Sequence, residues 1–158
     1  MYLLSRVKQY LDKEGVPYEH HVHRTAYTAQ EVAAEEHIPG KMMAKTVLLK
    51  TATGLVMVVL PASSRLDLEA ARRILGDPEA RLASELEFTG AFPDCDVGAM
   101  PPFGNLYGIP VYVDAALAED EEIVFNAGTH QDSIRMKYAD FARLAKPTVG
   151  GLALSRAA

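Results

Sequence analysis

Apolar residues at Leu3, Leu4, Val7 and Leu11 recur at helical spacing and predict a helix over residues 2–13, ended by Gly15 and Pro17. Tyr18 to Val22 reads as a short strand. Thr28-Ala-Gln-Glu31 has the spacing of a capping box, in which a hydroxyl and a carboxylate each satisfy a backbone N–H, so a second helix is expected over 29–36. Pro39-Gly40 turns the chain. Two apolar runs, 44–50 and 55–60, flank Thr53-Gly54 and predict an antiparallel hairpin. Ser64 is then expected to cap a helix over 66–75, with Gly76 past its end. Ser84-Glu-Leu-Glu87 repeats the capping-box spacing and predicts a short helix, and a loop rich in Pro and Gly fills 93–108. Strands are expected at 111–113, 122–125 and 133–136, followed by a last helix over 138–144 that Pro147 ends.

Strands and helices are mixed, and a hairpin replaces regular strand–helix–strand alternation. That favours an α+β fold over a doubly wound parallel sheet, with enough short strands for the sheet to curl into a partial barrel. The 158 residues, 49% hydrophobic and 23% charged, are sized for a single globular domain covering 1–158. Charges at Arg6, Lys8, Asp12 and Lys13 interrupt the first helix, so no signal-peptide core is expected. No apolar run approaches the ~20 residues that span a bilayer. The expectation is a cytoplasmic protein without membrane contact. A single cysteine, Cys95, excludes an internal disulfide and a multi-cysteine zinc site.

A net charge of −5 argues against a general nucleic-acid binder, DNA included, because phosphate neutralisation supplies most of that affinity. Gripping only the end of an RNA needs a few local cations, and Arg72, Arg73, Arg135, Lys137, Arg143 and Lys146 are available.

Side chains alternate faces along a strand, so Lys45 shares a face with Val47 and Leu49, the side that looks core-facing. A lysine there either reaches a pocket or partner, because an unpaired buried ammonium is costly, or snorkels to water. Gly98-Ala-Met-Pro-Pro-Phe-Gly104 brackets a stiff diproline with glycines, which suits either a ligand-facing loop or a plain surface loop. In Phe125-Asn-Ala-Gly-Thr-His130 a strand ends in an amide, a hydroxyl and an imidazole. These line a pocket mouth or satisfy a local turn. His20-His-Val-His23 reads as solvated strand histidines rather than a metal site, since no acidic or cysteine ligand lies near in sequence. Cys95 has no partner arrangement that marks a nucleophile. Phosphate-loop, dinucleotide-binding and nucleophile-elbow motifs are absent.

Lys45-Thr-Val-Leu-Leu-Lys50 resembles the lysine strand of the YbaK/ProX aminoacyl-tRNA deacylases, the prolyl-tRNA synthetase-associated domain family. Gly98-Ala-Met-Pro-Pro102 resembles their GxxxP loop, and Asn126-Ala-Gly-Thr-His130 their late strand-and-turn segment. Thr28 to Ala34, after His23, resembles their early helix. The resemblance implies an α+β fold with a mixed, barrel-like sheet and flanking helices. It implies hydrolysis of the ester joining a small, wrong amino acid to the 3′ end of tRNA, alanine or cysteine on tRNA(Pro), with no metal or organic cofactor. Carried over by the resemblance, Lys45 grips substrate near the terminal ribose and phosphate. Gly98 and Pro102 define the catalytic loop, whose backbone holds the α-amino group or the attacking water. Ala99, Met100, Pro101, Asn126, Gly128, Thr129 and His130 line the substrate pocket. Pro101 and Phe103 add bulk beside the GxxxP pattern and bear on which amino acid fits. The expected partners are the aminoacyl-tRNA 3′ end and a prolyl-tRNA synthetase. The competing reading is a non-catalytic module that binds an aminoacyl group, a nucleotide or a tRNA end on the same fold.

Overall fold

The computed structural model describes residues 5–155, so Leu3 and Leu4 of the first predicted helix lie outside the described residues. In chain order the elements are α1 (Ser5–Glu14), β1 (Tyr18–Val22), α2 (Ala29–Glu35), β2 (Met43–Thr51), β3 (Gly54–Pro61) and β4 (Ser64–Leu66). They continue with α3 (Leu68–Leu75), β5 (Arg81–Leu82), α4 (Glu85–Phe88), β6 (Val111–Asp114), α5 (Ala115–Ala118) and β7 (Glu122–Asn126). The chain closes with β8 (Asp132–Lys137), α6 (Tyr138–Ala145), β9 (Thr148–Gly150) and β10 (Ala153–Ser155).

The hairpin of β2 and β3 is the centre of the sheet. It runs in register from Thr51 opposite Gly54 to Ala44 opposite Pro61. The sheet order is β1-β8-β7-β2-β3-β6-β9, with β5 added to the far end of β2. It is mixed: β1–β8, β7–β8 and β2–β3 are antiparallel, while β2–β7, β3–β6 and β6–β9 are parallel. β4 and β10 form a separate two-stranded ribbon.

Both faces of the sheet are covered. Ala44 and Leu48 of β2 join a main core with Val7 and Leu11 of α1 and Phe141 and Leu144 of α6. Phe103 sits at its middle, fully buried, with its ring edge-on to Tyr10, Phe125 and Phe141 at 6.0, 5.7 and 5.3 Å between centroids. Burying one such ring is worth about 1.5–3 kcal/mol, with about 0.5–1.5 kcal/mol more for each good edge contact. The opposite face carries two smaller clusters. Met43 and Val124 pack with Val32 and Ala33 of α2, and Leu49, Val58 and Leu60 pack with Ala71 of α3. Lys45 therefore stands on an apolar face, as its alternation with Val47 and Leu49 suggests, but that face is turned away from the main core.

Both capping boxes form as their spacing predicts, Thr28 with Glu31 at α2 and Ser84 with Glu87 at α4. Ser64 does not cap a helix. The stretch from Ser64 to Leu66 pairs with β10, and α3 begins later, where the Asp67 carboxylate accepts the N–H of Ala70. Gly76 ends α3 in the left-handed region at φ 69°, a conformation that costs a glycine nothing. Among the described residues, no helix is long and apolar enough to cross a membrane.

Candidate active site at a strand fork

β2 and β7 run parallel for one short stretch, Met43 beside Val124 and Ala44 beside Phe125, and then part. Lys45 and Asn126 are the next residue on each strand. Met43 and Val124 share one cluster and Ala44 and Phe125 another, so alternation puts Lys45 and Asn126 on one face, just where the strands separate. Beyond that point β2 continues toward β5, while β7 ends. A crevice where parallel strands diverge at their carboxyl ends is a general location for ligand sites, because the ladder no longer fills the space between them.

The glycine–proline loop bridges the fork. The N–H of Gly128 donates to the Ala99 carbonyl at 2.9 Å, and the N–H of Asp96 donates to the Gly128 carbonyl at 2.7 Å. On the other side, the Thr46 hydroxyl donates to the Met100 carbonyl at 3.1 Å. Ala99, Met100, Pro101 and Pro102 are buried by this arrangement, while Gly98 stays exposed at its rim. Gly98 has φ 86°, and a side-chain carbon there would lie 3.5 Å from the His130 ring. The His130 Nε2 lies 2.8 Å from the Val97 carbonyl. A carbonyl only accepts, so Nε2 is the donor in this contact. The ring's Nδ1 is buried without a hydrogen-bond partner.

The turn after β7 is held from within. The Thr129 hydroxyl donates to the Asp132 carboxylate and accepts the N–H groups of Gln131 and Asp132. Asp132 is buried, and its other oxygen meets His20 Nε2 at 2.7 Å. Of the three polar groups that the sequence leaves between pocket and turn, Thr129 is committed to the turn and His130 to the Val97 carbonyl. Asn126 is not: it is 7% exposed, and its Oδ1 is buried without a partner. Tyr27 leans on His130 with 4.8 Å between rings, and together with Thr25, Asp96, Thr129 and Gln131 they line a shallow cavity of about 260 Å³.

The solvated reading of the strand histidines fails for two of the three. The His23 side chain is 5% exposed and faces Glu36 at 3.8 Å, and Glu36 also accepts from the Ser133 hydroxyl. His20 has Asp132. Their acids, Asp132 and Glu36, lie outside the histidine segment, while His21 meets Glu19, two residues before it, at 3.0 Å, an acid near in sequence that the sequence reading missed. Among the described residues, no three side chains of metal-binding type converge. Cys95 is half-buried, 3.4 Å from the Tyr107 hydroxyl, and burial pushes its thiol up to about 11. It is the wrong protonation state for a nucleophile at neutral pH.

Cavity size does not locate the chemistry. A larger hollow of about 340 Å³ lies at the far end of the hairpin, against Thr51, Thr53, Gly76 and Asp77. The Asp77 carboxylate there is already occupied by the N–H groups of Ala52 and Glu79.

A family model for the aminoacyl-tRNA editing domain matches residues 23–144, which takes in the fork, the loop and the turn. The chain belongs to the aminoacyl-tRNA editing domain family. It is 36% identical over 93 residues to the multifunctional Ser/Thr-tRNA deacylase ProXp-y of Escherichia coli K12, and equally to that of strain O157:H7. Those alignments cover 58% of this chain, and the chain spans about half the length (55%) of each of these curated relatives. A crystal structure described as a candidate trans-editing enzyme for prolyl-tRNA synthetase superposes with a TM-score of 0.84 at 23% identity, covering 97% of this chain and 98% of that one. A hypothetical protein of known structure superposes with a TM-score of 0.86 at 20% identity, over 94% of this chain and 99% of the other. At these identities the structural matches speak for the fold.

Proposed function

We propose that this protein is a trans-editing aminoacyl-tRNA deacylase that works at the β2–β7 fork, on a small amino acid esterified to the 3′ end of a tRNA. What supports the reading is that β2 and β7 part just before Lys45 and Asn126, that Thr46 and Gly128 tie the Gly98–Pro102 loop to the segments beside them, and that the chain matches the editing-domain family over residues 23–144.

The reaction adds water to the ester carbonyl, breaks the bond to the ribose oxygen, and returns that oxygen to the hydroxyl form by taking up a proton. Free amino acid and uncharged tRNA result. An aminoacyl ester is already activated, so what the protein must supply is orientation and a home for the developing negative charge. The N–H groups of Gly98 and Met100 take no part in the bonds that pin the loop, and they are the donors offered to an oxyanion. Lys45 supplies positive charge to the ribose and phosphate end of the substrate. His130 holds the loop through the Val97 carbonyl. Ala99, Pro101 and Gly128 form a wall of small, fixed groups. A wall of this kind admits a small side chain and excludes a larger one, which a synthetase's own binding step cannot do strongly when the difference is a methylene.

Alanine and cysteine on tRNA(Pro) are the substrates suggested by the sequence resemblance. The name of the E. coli relative adds serine and threonine to the candidates. A prolyl-tRNA synthetase is the proposed partner and the cytoplasm the proposed site of action. The test is hydrolysis of tRNA(Pro) charged in turn with Ala, Cys, Ser, Thr and Pro, by wild type and by Lys45→Ala. The reading expects loss of a small amino acid, sparing of Pro, and a fall of about tenfold or more in the variant, the usual scale when one charged contact to the substrate is removed. No turnover of any of these esters refutes it.

A further inference from the structure

Beside the fork, the segment that leads into α2 is tied to the turn after β7. The N–H of His23 donates to the Gln131 carbonyl at 2.8 Å, the N–H of Ala26 donates to the His130 carbonyl at 3.0 Å, and the Gln131 side-chain amide donates to the Thr25 hydroxyl at 2.9 Å. Tyr27 comes next. Its own N–H donates to the Glu31 carboxylate of the α2 capping box at 3.2 Å, so its backbone is fixed from both sides. The residue before a helix cap commonly packs back onto the helix. Tyr27 stays 68% exposed, with its ring against that of His130 at 53° between planes. Val97, whose carbonyl accepts from His130, is 40% exposed. A ring on a fixed backbone, propped by a second ring at the wall of the 260 Å³ cavity, is a surface preorganised for a flat, apolar-faced group.

We propose that Tyr27 is a stacking platform for the terminal nucleobase of the tRNA. The proposal rests on the deacylase reading above. Unpaired RNA ends are held in this way because every base has a π-face, whatever its hydrogen-bonding edge. The placement suits a nucleoside. The His130 ring stands between two halves of the site: a carbon added at Gly98 would lie 3.5 Å from it on one side, and Tyr27 is 4.8 Å from it between ring centroids. An ester carbonyl at Gly98 and a base on Tyr27 are thus one imidazole apart, a gap the ribose spans. The charge of the cavity points the same way. Its lining, among the described residues, holds the Asp96 carboxylate and no lysine or arginine, so it disfavours a phosphate and accepts a neutral base. The wall of Ala99, Pro101 and Gly128 is left to the amino-acid side chain.

The experiment uses one synthetic acceptor-stem RNA, made with its terminal adenosine intact or with that base replaced by hydrogen. Charged with alanine or with serine, the two RNAs give kcat and KM for wild type, Tyr27→Ala and Tyr27→Phe. On the intact end, Tyr27→Ala should lower kcat/KM about tenfold or more, through KM rather than kcat, because a stacked base is held alike before and during the reaction. Tyr27→Phe keeps the ring and should restore most of that loss. On the abasic end wild type should fall by a similar factor, and Tyr27→Ala should fall no further. An equal fall in Tyr27→Ala on both ends overturns the proposal, since the ring then serves another part of the substrate or the fold, and so does no fall on either. Binding supplies a readout without turnover. The chain has no tryptophan, so Tyr27→Trp is a single fluorescent reporter. It should be quenched by the uncharged intact RNA and far less by the abasic one, and equal quenching overturns the proposal. Wild type that hydrolyses none of the esters overturns the deacylase reading, while the quenching still decides whether a base stacks at Tyr27.

Discussion

Gly98→Ala separates backbone strain from steric clash at the rim of the crevice. Gly98 has φ 86°, where an L side chain is rarely found, but an added Cβ would meet only the Cε1 of His130, at 3.5 Å, an ordinary contact. The cost is therefore conformational, about 1–2 kcal/mol for a non-glycine residue in the left-handed region. For a chain of this size each kcal/mol lowers Tm by roughly 2–4 °C, so the variant should melt about 2–8 °C below wild type. The loop is pinned around this residue by the N–H of Asp96 on the Gly128 carbonyl, the N–H of Ala99 on the Asp96 carbonyl, the N–H of Gly128 on the Ala99 carbonyl, and His130 on the Val97 carbonyl. If the strain is relieved by turning residue 98 to negative φ, these bonds are what must give way. Thermal unfolding by circular dichroism gives the first number, and hydrogen exchange at the amides of Asp96, Ala99 and Gly128 should accelerate while the β2–β3 hairpin stays protected. Gly98→Asn, which tolerates this region better, should lose less. Unchanged melting together with unchanged exchange at those three amides would refute the reasoning.

Two further outcomes follow from the geometry. Asp114 is buried, and its carboxylate accepts the N–H groups of Leu152, Ala153 and, at the start of α5, Ala116; Asp114→Ala should cost roughly 2–4 kcal/mol in denaturant unfolding and release β10 first, and a loss within measurement error would contradict this. Burial raises the Cys95 thiol from 9.0 to about 11, so its contribution to stability is fully present below about pH 9 and lost as pH rises toward 11; alkylation should be slow at pH 7–8, and Cys95→Ser should keep full deacylation, whereas loss of activity there would reinstate the thiol as a nucleophile.

What the sequence made legible was local. The two capping boxes, the Thr53-Gly54 hairpin and the Gly76 helix stop each depend on residues a few positions apart, and each forms. Ser64 and Asp67 are both good caps, and the choice between them is made by β10, almost ninety residues later, which draws Ser64 to Leu66 into a ribbon. β5 and β9 are too short to show a period, and they exist because β2 and β6 offer them an edge. At the site, alternation put Lys45 on an apolar face but carried no information about which of two cores that face meets, and its role came from the resemblance. The pairing of His20 with Asp132 spans 112 residues, and that of His23 with Glu36 joins a loop to the end of a helix. No spacing rule reaches contacts of that kind. The unpartnered oxygen of Asn126 is visible only once its neighbours are in place.

The central claim is a location: the aminoacyl end of the tRNA sits in the β2–β7 fork. The direct measurement is an NMR titration of isotope-labelled protein with a non-hydrolysable 3′-aminoacylamido-adenosine, in which an amide replaces the ester. The account predicts shifts concentrated at Lys45, Gly98, Ala99, Asn126 and His130, with Thr51, Gly76 and Asp77 at the distant hollow unmoved. Shifts centred on that hollow, with the fork silent, would contradict it.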